Sequence, residues 1–167
     1  MIRLVLLDRD GVLNREIGGY ITNTEEFEVL PHVVPNLQKL KEAGCRFVII
    51  TNQSGIAKRK YSHDMLEQIH QKLRTHLLAH QIELDEIYYC PHDPYLSLCT
   101  CRKPKSGMIE KALARFNVSP EQAIMIGDTP RDIEAAEKAG VRGYKIDSNR
   151  NWKPIVDEIA AINSQKH

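Results

Sequence analysis

The stretch Leu4-Val5-Leu6-Leu7-Asp8-Arg9-Asp10-Gly11-Val12-Leu13-Asn14 decides the fold. Leu4 to Leu7 is a short apolar run with the length and flanks of a buried strand, and it stops at two acids followed by a glycine. A strand end of this kind delivers carboxylates to a loop. Side chains two apart on extended backbone face the same way, so Asp8 and Asp10 point into one pocket, where like charges repel unless a cation lies between them. A hard divalent ion such as Mg²⁺ suits oxygen ligands of this type. Taken alone, Asp-x-Asp-Gly is also an ordinary solvated turn. The reading therefore depends on what the rest of the chain brings to the same place.

Working outward, Asn14 to Pro31 is a Gly-, Asn- and Thr-containing loop with Tyr20, Ile21 and Phe27 interspersed, placed where loops line ligand sites. A helix is expected over Val33 to Ala43, stopped by Gly44. Arg46 to Ile50 is a second buried strand ending in Thr51-Asn52-Gln53-Ser54-Gly55. Ser62 caps a helix running to about His80, with Met65, Ile69, Leu73 and Leu77 as its apolar stripe. His76 and His80 have metal-ligand spacing on that helix, but no acidic partner accompanies them, and they are read as solvated. Ile87 to Tyr89 is a third strand, followed by a helix from Ser106 to Phe116. Ala123 to Ile126 is a fourth strand ending in Gly127-Asp128. A helix from Arg131 to Ala139, a strand near Gly143 to Ile146 and a helix after Pro154, carrying Ile155, Ile159 and Ile162, complete the chain. Alternating strands and helices with polar strand ends describe a doubly wound parallel α/β sheet whose site lies at the strands' carboxyl edge. We expect a single domain over residues 1–167.

Composition narrows the function classes. The chain holds 23 Lys and Arg against 22 Asp and Glu, so its overall field offers no general attraction for nucleic acid or anionic membrane. The N-terminal apolar run is too short for a signal-peptide core, and no apolar stretch reaches bilayer-spanning length. A cytoplasmic, monomeric protein acting on a small molecule, without nucleic-acid or membrane partners, is expected.

Three of the four cysteines lie between positions 90 and 101, an arrangement suited to a metal site rather than a disulfide framework. Cys90-x-His92 and Cys99-x-Cys101 offer three thiolates and one imidazole, a closed tetrahedral set for structural Zn²⁺. Such an ion contributes on the order of 10 kcal/mol in small sites and would pin the 90–101 loop, with Arg102 and Lys103 directly after it. Cys45, at a strand start, reads as a small core residue.

Asp8-x-Asp10-Gly11, Thr51-Asn52, Lys103 and Gly127-Asp128 with Asp132 resemble, in order, the four motifs of the haloacid dehalogenase superfamily phosphatases. The resemblance implies Asp8 as nucleophile, Asp10 as general acid and base, Thr51 and Lys103 as phosphoryl-binding catalytic groups, and Mg²⁺ held by Asp8, the Asp10 backbone carbonyl and Asp128. Asp132 would support the metal through water or serve as a first-turn helix acid. Val12 departs from the Thr of many relatives and leaves the carboxylates intact. The intervals that hold cap domains elsewhere are filled here by elements already assigned, so the site is expected to be capless.

Within the superfamily, Thr51-Asn52-Gln53-Ser54-Gly55-Ile56-Ala57 and the zinc loop resemble the heptose 1,7-bisphosphate phosphatases and, less closely, the histidinol-phosphate phosphatases. The first of these implies removal of the C7 phosphate of a sugar bisphosphate on the route to nucleotide-activated heptose and lipopolysaccharide precursors. It also implies substrate contacts from Gly19, Tyr20, Thr51, Asn52, Gln53, Ser54, Arg102 and Lys103. The extra residue before Tyr20 and the short zinc loop depart from that pattern where the sugar would be read. Lys58, Arg59, Lys60 and Lys105 suit a second phosphate, the alternative being that Lys58 to Lys60 form only a solvated charge run. A catalytically silent zinc-containing interaction domain is the alternative from another class.

Overall fold

In the computed structural model, which describes residues 1–165, strand β1 (Leu4–Leu7) is buried on both faces, as its unbroken apolar run requires. It sits at the middle of a five-stranded parallel sheet together with β2 (Arg46–Asn52), β3 (Glu86–Cys90), β4 (Ala123–Gly127) and β5 (Arg142–Lys145), in the order β3-β2-β1-β4-β5. The parallel register sets Leu7 opposite Ile49 on one side and Ile126 on the other.

Alternation along each strand feeds two cores. Val5, Leu7, Phe47, Ile49, Ile124 and Ile126 pack against α1 (Val33–Glu42), α2 (His63–Leu78) and α5 (Lys153–Ser164). Leu4, Leu6, Val48, Ile50 and Met125 face α3 (Gly107–Phe116) and α4 (Pro130–Lys138). The sheet is thus covered on both faces, and the strand order reverses between β1 and β4. That reversal splays the two loops that follow them and opens a crevice at their carboxyl ends. Among the described residues no helix is long and apolar enough to cross a membrane.

Differences from expectation are local. β2 continues through Thr51 and Asn52, which pair with Tyr89 and Cys90, because ladder hydrogen bonding does not end where apolar side chains do. β5 begins one residue earlier, at Arg142, and Ile146 instead donates its N–H to Gly127 O at 2.9 Å beyond the strand. On α2 the buried face is Leu66, Ile69, His70, Leu73 and Leu77, so Met65 lies at its margin and a histidine takes a core position. On α5 the fully covered positions are Val156, Ile159 and Asn163, with Ile155 and Ile162 partly covered. Ser62 accepts from Met65 N–H and caps α2 as read.

Candidate active site

Asp8 follows β1 directly, and its backbone N–H still donates to Ile126 O at 3.0 Å, so the sheet fixes the residue's position. Its carboxylate accepts from Arg9 N–H at 2.8 Å and lies 2.9 Å from Lys103 Nζ. Lys103 itself is buried, and its ammonium also meets Asp132 Oδ1 at 2.6 Å and donates to Ile50 O at 2.6 Å. Three acceptors therefore use the three donors of the ammonium group. Asn52 places this lysine: its side-chain amide donates to Lys103 O and accepts from Lys103 N–H, both at 3.0 Å. A residue expected to touch substrate is thus also the clamp on the site's central cation.

Asp10 leaves the same loop and turns to a different set of partners. Arg9 Nη2 donates to its Oδ1 at 2.8 Å, Asn14 Nδ2 to the same oxygen at 3.0 Å, and Gln53 Nε2 to Oδ2 at 3.0 Å. Gln53 also donates to Thr51 Oγ1 at 3.0 Å and accepts from Tyr61 at 2.5 Å. Thr51 is buried behind these groups and does not line the cleft, whereas Asp8, Asp10, Gly19, Tyr20, Asn52, Gln53, Ser54, Arg102, Lys103 and Asp128 do. The cleft has a volume of about 380 Å³.

The two leading carboxylates are tuned apart. Burial pushes Asp8 up to about 7, Lys103 opposing and the neighbouring Asp132 and Asp10 charges adding to the rise. Burial acts on Asp10 in the same direction, but the Arg9 guanidinium and the hydrogen bonds from Arg9, Asn14 and Gln53 outweigh it and hold the group below the ordinary range. The two acids on one strand end thus sit in different settings: Asp8 among neighbouring acids whose repulsion a bound cation would relieve, and Asp10 in a fixed cradle of hydrogen-bond donors.

Asp8, Asp128 and Asp132 each offer an oxygen within 4.8 Å of the others. Burial raises Asp128, while Ser148 Oγ donates to it. Asp132 accepts from Thr129 N–H at 2.9 Å and Thr129 Oγ1 at 2.8 Å, capping α4, so it is both first-turn acid and partner of Lys103. Three carboxylates lie together and one ammonium, bound to two of them, is their counter-charge, a surplus of negative charge that suits a hard divalent cation with oxygen ligands. Gly11 makes room for them: its φ is +80°, and a Cβ there would fall on Asp128 Oδ2. Gly11→Ala is expected to cost about 1–3 kcal/mol of stability. Because it displaces Asp128, it should also cost at least about tenfold in turnover. Urea unfolding alongside a phosphate-release assay checks both.

The zinc-loop residues also converge. Cys90 Sγ lies 3.7 Å from Cys99 Sγ and 3.3 Å from His92 Nδ1, which is 3.2 Å from Cys101 Sγ. Sulfur ligands about 2.3 Å from a tetrahedral ion stand about 3.8 Å apart, and a disulfide would need about 2.05 Å. The spacing thus fits a shared ion and excludes a Cys90–Cys99 bridge. Cys45 is buried in the core, as read.

Of the four cations considered for a second phosphate, Lys58 lines the cleft, near the Tyr20 ring at 5.8 Å. Arg59, Lys60 and Lys105 do not line it, and Lys105 instead donates to Cys99 O. Arg131, at the start of α4, lines it and carries no sequence signal of its own. His70 is a second omission. Its burial, together with the Arg9 charge, pushes it down to about 3. A base whose folded value lies below its unfolded value of about 6.5 contributes stability that is present above that pH and lost as the pH falls toward 3. Wild-type stability should therefore drop on acidification below about pH 6.5, with a slope from this group of up to about 1.4 kcal/mol per pH unit. His70→Gln should remove that part of the slope in urea titrations.

A family model described as haloacid dehalogenase-like hydrolase matches residues 2–140. The chain is 39% identical to the D-glycero-beta-D-manno-heptose-1,7-bisphosphate 7-phosphatase of Haemophilus influenzae, across 97% of this chain and 89% of that one. It is 36% identical to the protein of the same name from Escherichia coli, across 92% and 82%. The D-glycero-alpha-D-manno-heptose-1,7-bisphosphate 7-phosphatase of Photorhabdus laumondii is 37% identical, across 84% and 79%. Among solved structures, the D,D-heptose 1,7-bisphosphate phosphatase of B. bronchiseptica, complexed with magnesium and phosphate, aligns with a TM-score of 0.84 at 30% identity, covering 98% of this chain and 97% of that one.

Proposed function

The chain belongs to the haloacid dehalogenase-like hydrolases and is a phosphatase, and from that premise we propose that it removes the C7 phosphate of a D-glycero-D-manno-heptose 1,7-bisphosphate through an aspartyl-phosphate on Asp8. The observation that carries this reading is the Asp8 carboxylate set against Lys103 at 2.9 Å, with Asp128 and Asp132 beside it, at the floor of an open polar cleft. The product, a heptose 1-phosphate, suits nucleotide activation for lipopolysaccharide precursors.

Mg²⁺ would be held by Asp8, the backbone carbonyl of Asp10 and Asp128, and it supplies neutralisation of phosphoryl charge when bound. The chain's own residues do the rest. An Asp8 oxygen attacks phosphorus while the bond from phosphorus to the C7 oxygen breaks, and Asp10 gives its proton to the departing oxygen. Arrival of the phosphate dianion beside Asp10 favours that protonated form. Asp10, now a carboxylate held by Arg9, Asn14 and Gln53, takes a proton from water as the water oxygen attacks phosphorus. Inorganic phosphate leaves and Asp8 regains its carboxylate. Lys103 stays charged throughout: burial opposes its charge, but Asp8 and Asp132 more than compensate and hold its pKa above the ordinary lysine value. Tyr20, Ser54, Lys58 and Arg102 line the same cleft and would meet the sugar and its remaining phosphate.

Phosphate release from both anomers of heptose 1,7-bisphosphate, fructose 1,6-bisphosphate and histidinol phosphate, each with Mg²⁺, tests the reading. Preference for a heptose bisphosphate is expected; preference for histidinol phosphate would replace the substrate assignment. Cys90, His92, Cys99 and Cys101 would hold structural Zn²⁺, which keeps Arg102 and Lys103 at the cleft. Metal analysis should find one zinc per chain. Stripping it with a chelator should lower the thermal midpoint by several degrees, on the order of a few kcal/mol, and reduce turnover, with re-addition restoring both.

A further inference from the structure

Behind Asp10, the Arg9 that holds it is itself paired with a buried residue, His70, that has no part in the chemistry above. Arg9 and His70 are 1% and 2% exposed, the first in the loop after β1 and the second on the inner face of α2. The Arg9 guanidinium donates to Asp10 Oδ1 through Nη2 at 2.8 Å and Nε at 3.3 Å, and its Nη1 lies 3.3 Å from His70 Nε2. The Phe27 ring lies 5.7 Å from the guanidinium carbon.

A guanidinium has five donors and no acceptor, and buried donors without partners are costly. The contact with His70 is a hydrogen bond only if Nε2 presents its lone pair, which requires a neutral imidazole carrying its proton on Nδ1. Burial and the Arg9 and Arg74 cations near the ring favour the neutral imidazole, Asp10 being the opposing charge, and Tyr89 of β3 places its own ring 5.9 Å away; the Arg9 contact then selects the tautomer. Asp10 fixes one edge of the guanidinium and His70 fixes the other. With the outer edge free, the guanidinium can swing, and the carboxylate it grips swings with it.

We propose that His70 is a positioning residue, accepting from Arg9 Nη1 and thereby aligning, through the guanidinium, the Asp10 carboxylate that moves protons at the leaving oxygen and at water. The inference rests on the Asp10 role under the proposed function, and the measurements separate the two.

In nitrogen-15 spectra of the wild-type protein at neutral pH, His70 is expected as the neutral tautomer with Nδ1 protonated. A proton on Nε2 overturns the proposal whether or not the protein releases phosphate. In assays with heptose 1,7-bisphosphate, His70→Leu should lower kcat about tenfold or more with KM changed less than about twofold, since alignment for proton transfer is lost while substrate binding is kept. His70→Gln, whose side-chain oxygen can accept from Arg9, should recover kcat to within about threefold of wild type. Unchanged kcat in His70→Leu, or a Gln variant that is as slow as the Leu variant, overturns it. If the Leu variant does not fold, the Gln variant decides, wild-type-like kcat supporting the proposal and a tenfold loss refuting it. Absence of phosphate release by the wild-type protein would refute the proposed function, and the tautomer would still judge the hydrogen bond to Arg9.

Discussion

Asp8→Asn should abolish phosphate release, with a loss of about 10⁴-fold to 10⁶-fold, the scale seen when a covalent nucleophile is removed. The amide has the shape of the carboxylate, and its oxygen can still accept from Arg9 N–H, so the loop after β1 keeps its path. What it loses is the anion that, in the proposed mechanism, attacks phosphorus. Stability should change far less than activity, because burial and the neighbouring Asp132 and Asp10 already raise the Asp8 carboxyl to about 7, meaning that its charge is poorly accommodated without a metal. Phosphate release and thermal unfolding of the same preparation would test this. A folded Asp8→Asn protein that still turns over would end the aspartyl-phosphate reading. Mass spectrometry after rapid acid quench should find phosphate bound to the wild-type chain and none on the variant.

Lys103→Met should damage both fold and activity. The ammonium is 2% exposed and bridges Asp8 and Asp132 at 2.9 and 2.6 Å while donating to Ile50 O. Methionine fills much of the same volume but leaves two buried carboxylates facing each other without a counter-charge. Breaking a buried ion pair from one side costs about 3–5 kcal/mol. The Asp8 carboxyl should rise further above its value of about 7, so less of it is a nucleophile at neutral pH. Turnover should fall by about 10³-fold or more, since the proposed mechanism also relies on this charge beside the transferring phosphoryl group. Urea titration and phosphate release measure the two losses independently. A variant as stable as wild type would show that Asp8 and Asp132 are not held together by this lysine.

Much of this was readable along the chain. Buried strands announce themselves as apolar runs ending in Asp8, Thr51 and Asp128, because a parallel sheet covered on both faces needs apolar side chains on both. The convergence of Cys90, His92, Cys99 and Cys101 was legible from spacing, since a tetrahedral metal site draws on few residue types. Residues whose meaning depends on what lies across the sheet were less legible. Asn52 was read only as a substrate contact and proves to clamp the Lys103 backbone across 51 positions. Arg9 and His70 carry no signal of their own in the sequence, yet both are enclosed.

The linear chain by itself determined the order of strands and helices, the convergence of acidic strand ends on one edge and the composition of the metal-ligand loop, because each follows from local pattern and from the single way a doubly wound sheet aligns its carboxyl ends. Tertiary structure alone decided which charges are buried together: Lys103 between Asp8 and Asp132, Arg9 between Asp10 and His70, and Lys58 and Arg131 rather than Arg59, Lys60 and Lys105 along the cleft. Apart from adjacent Arg9 and Asp10, these pairings join residues tens of positions apart, and their strength depends on distance and burial, quantities that no pattern of neighbours along a chain contains.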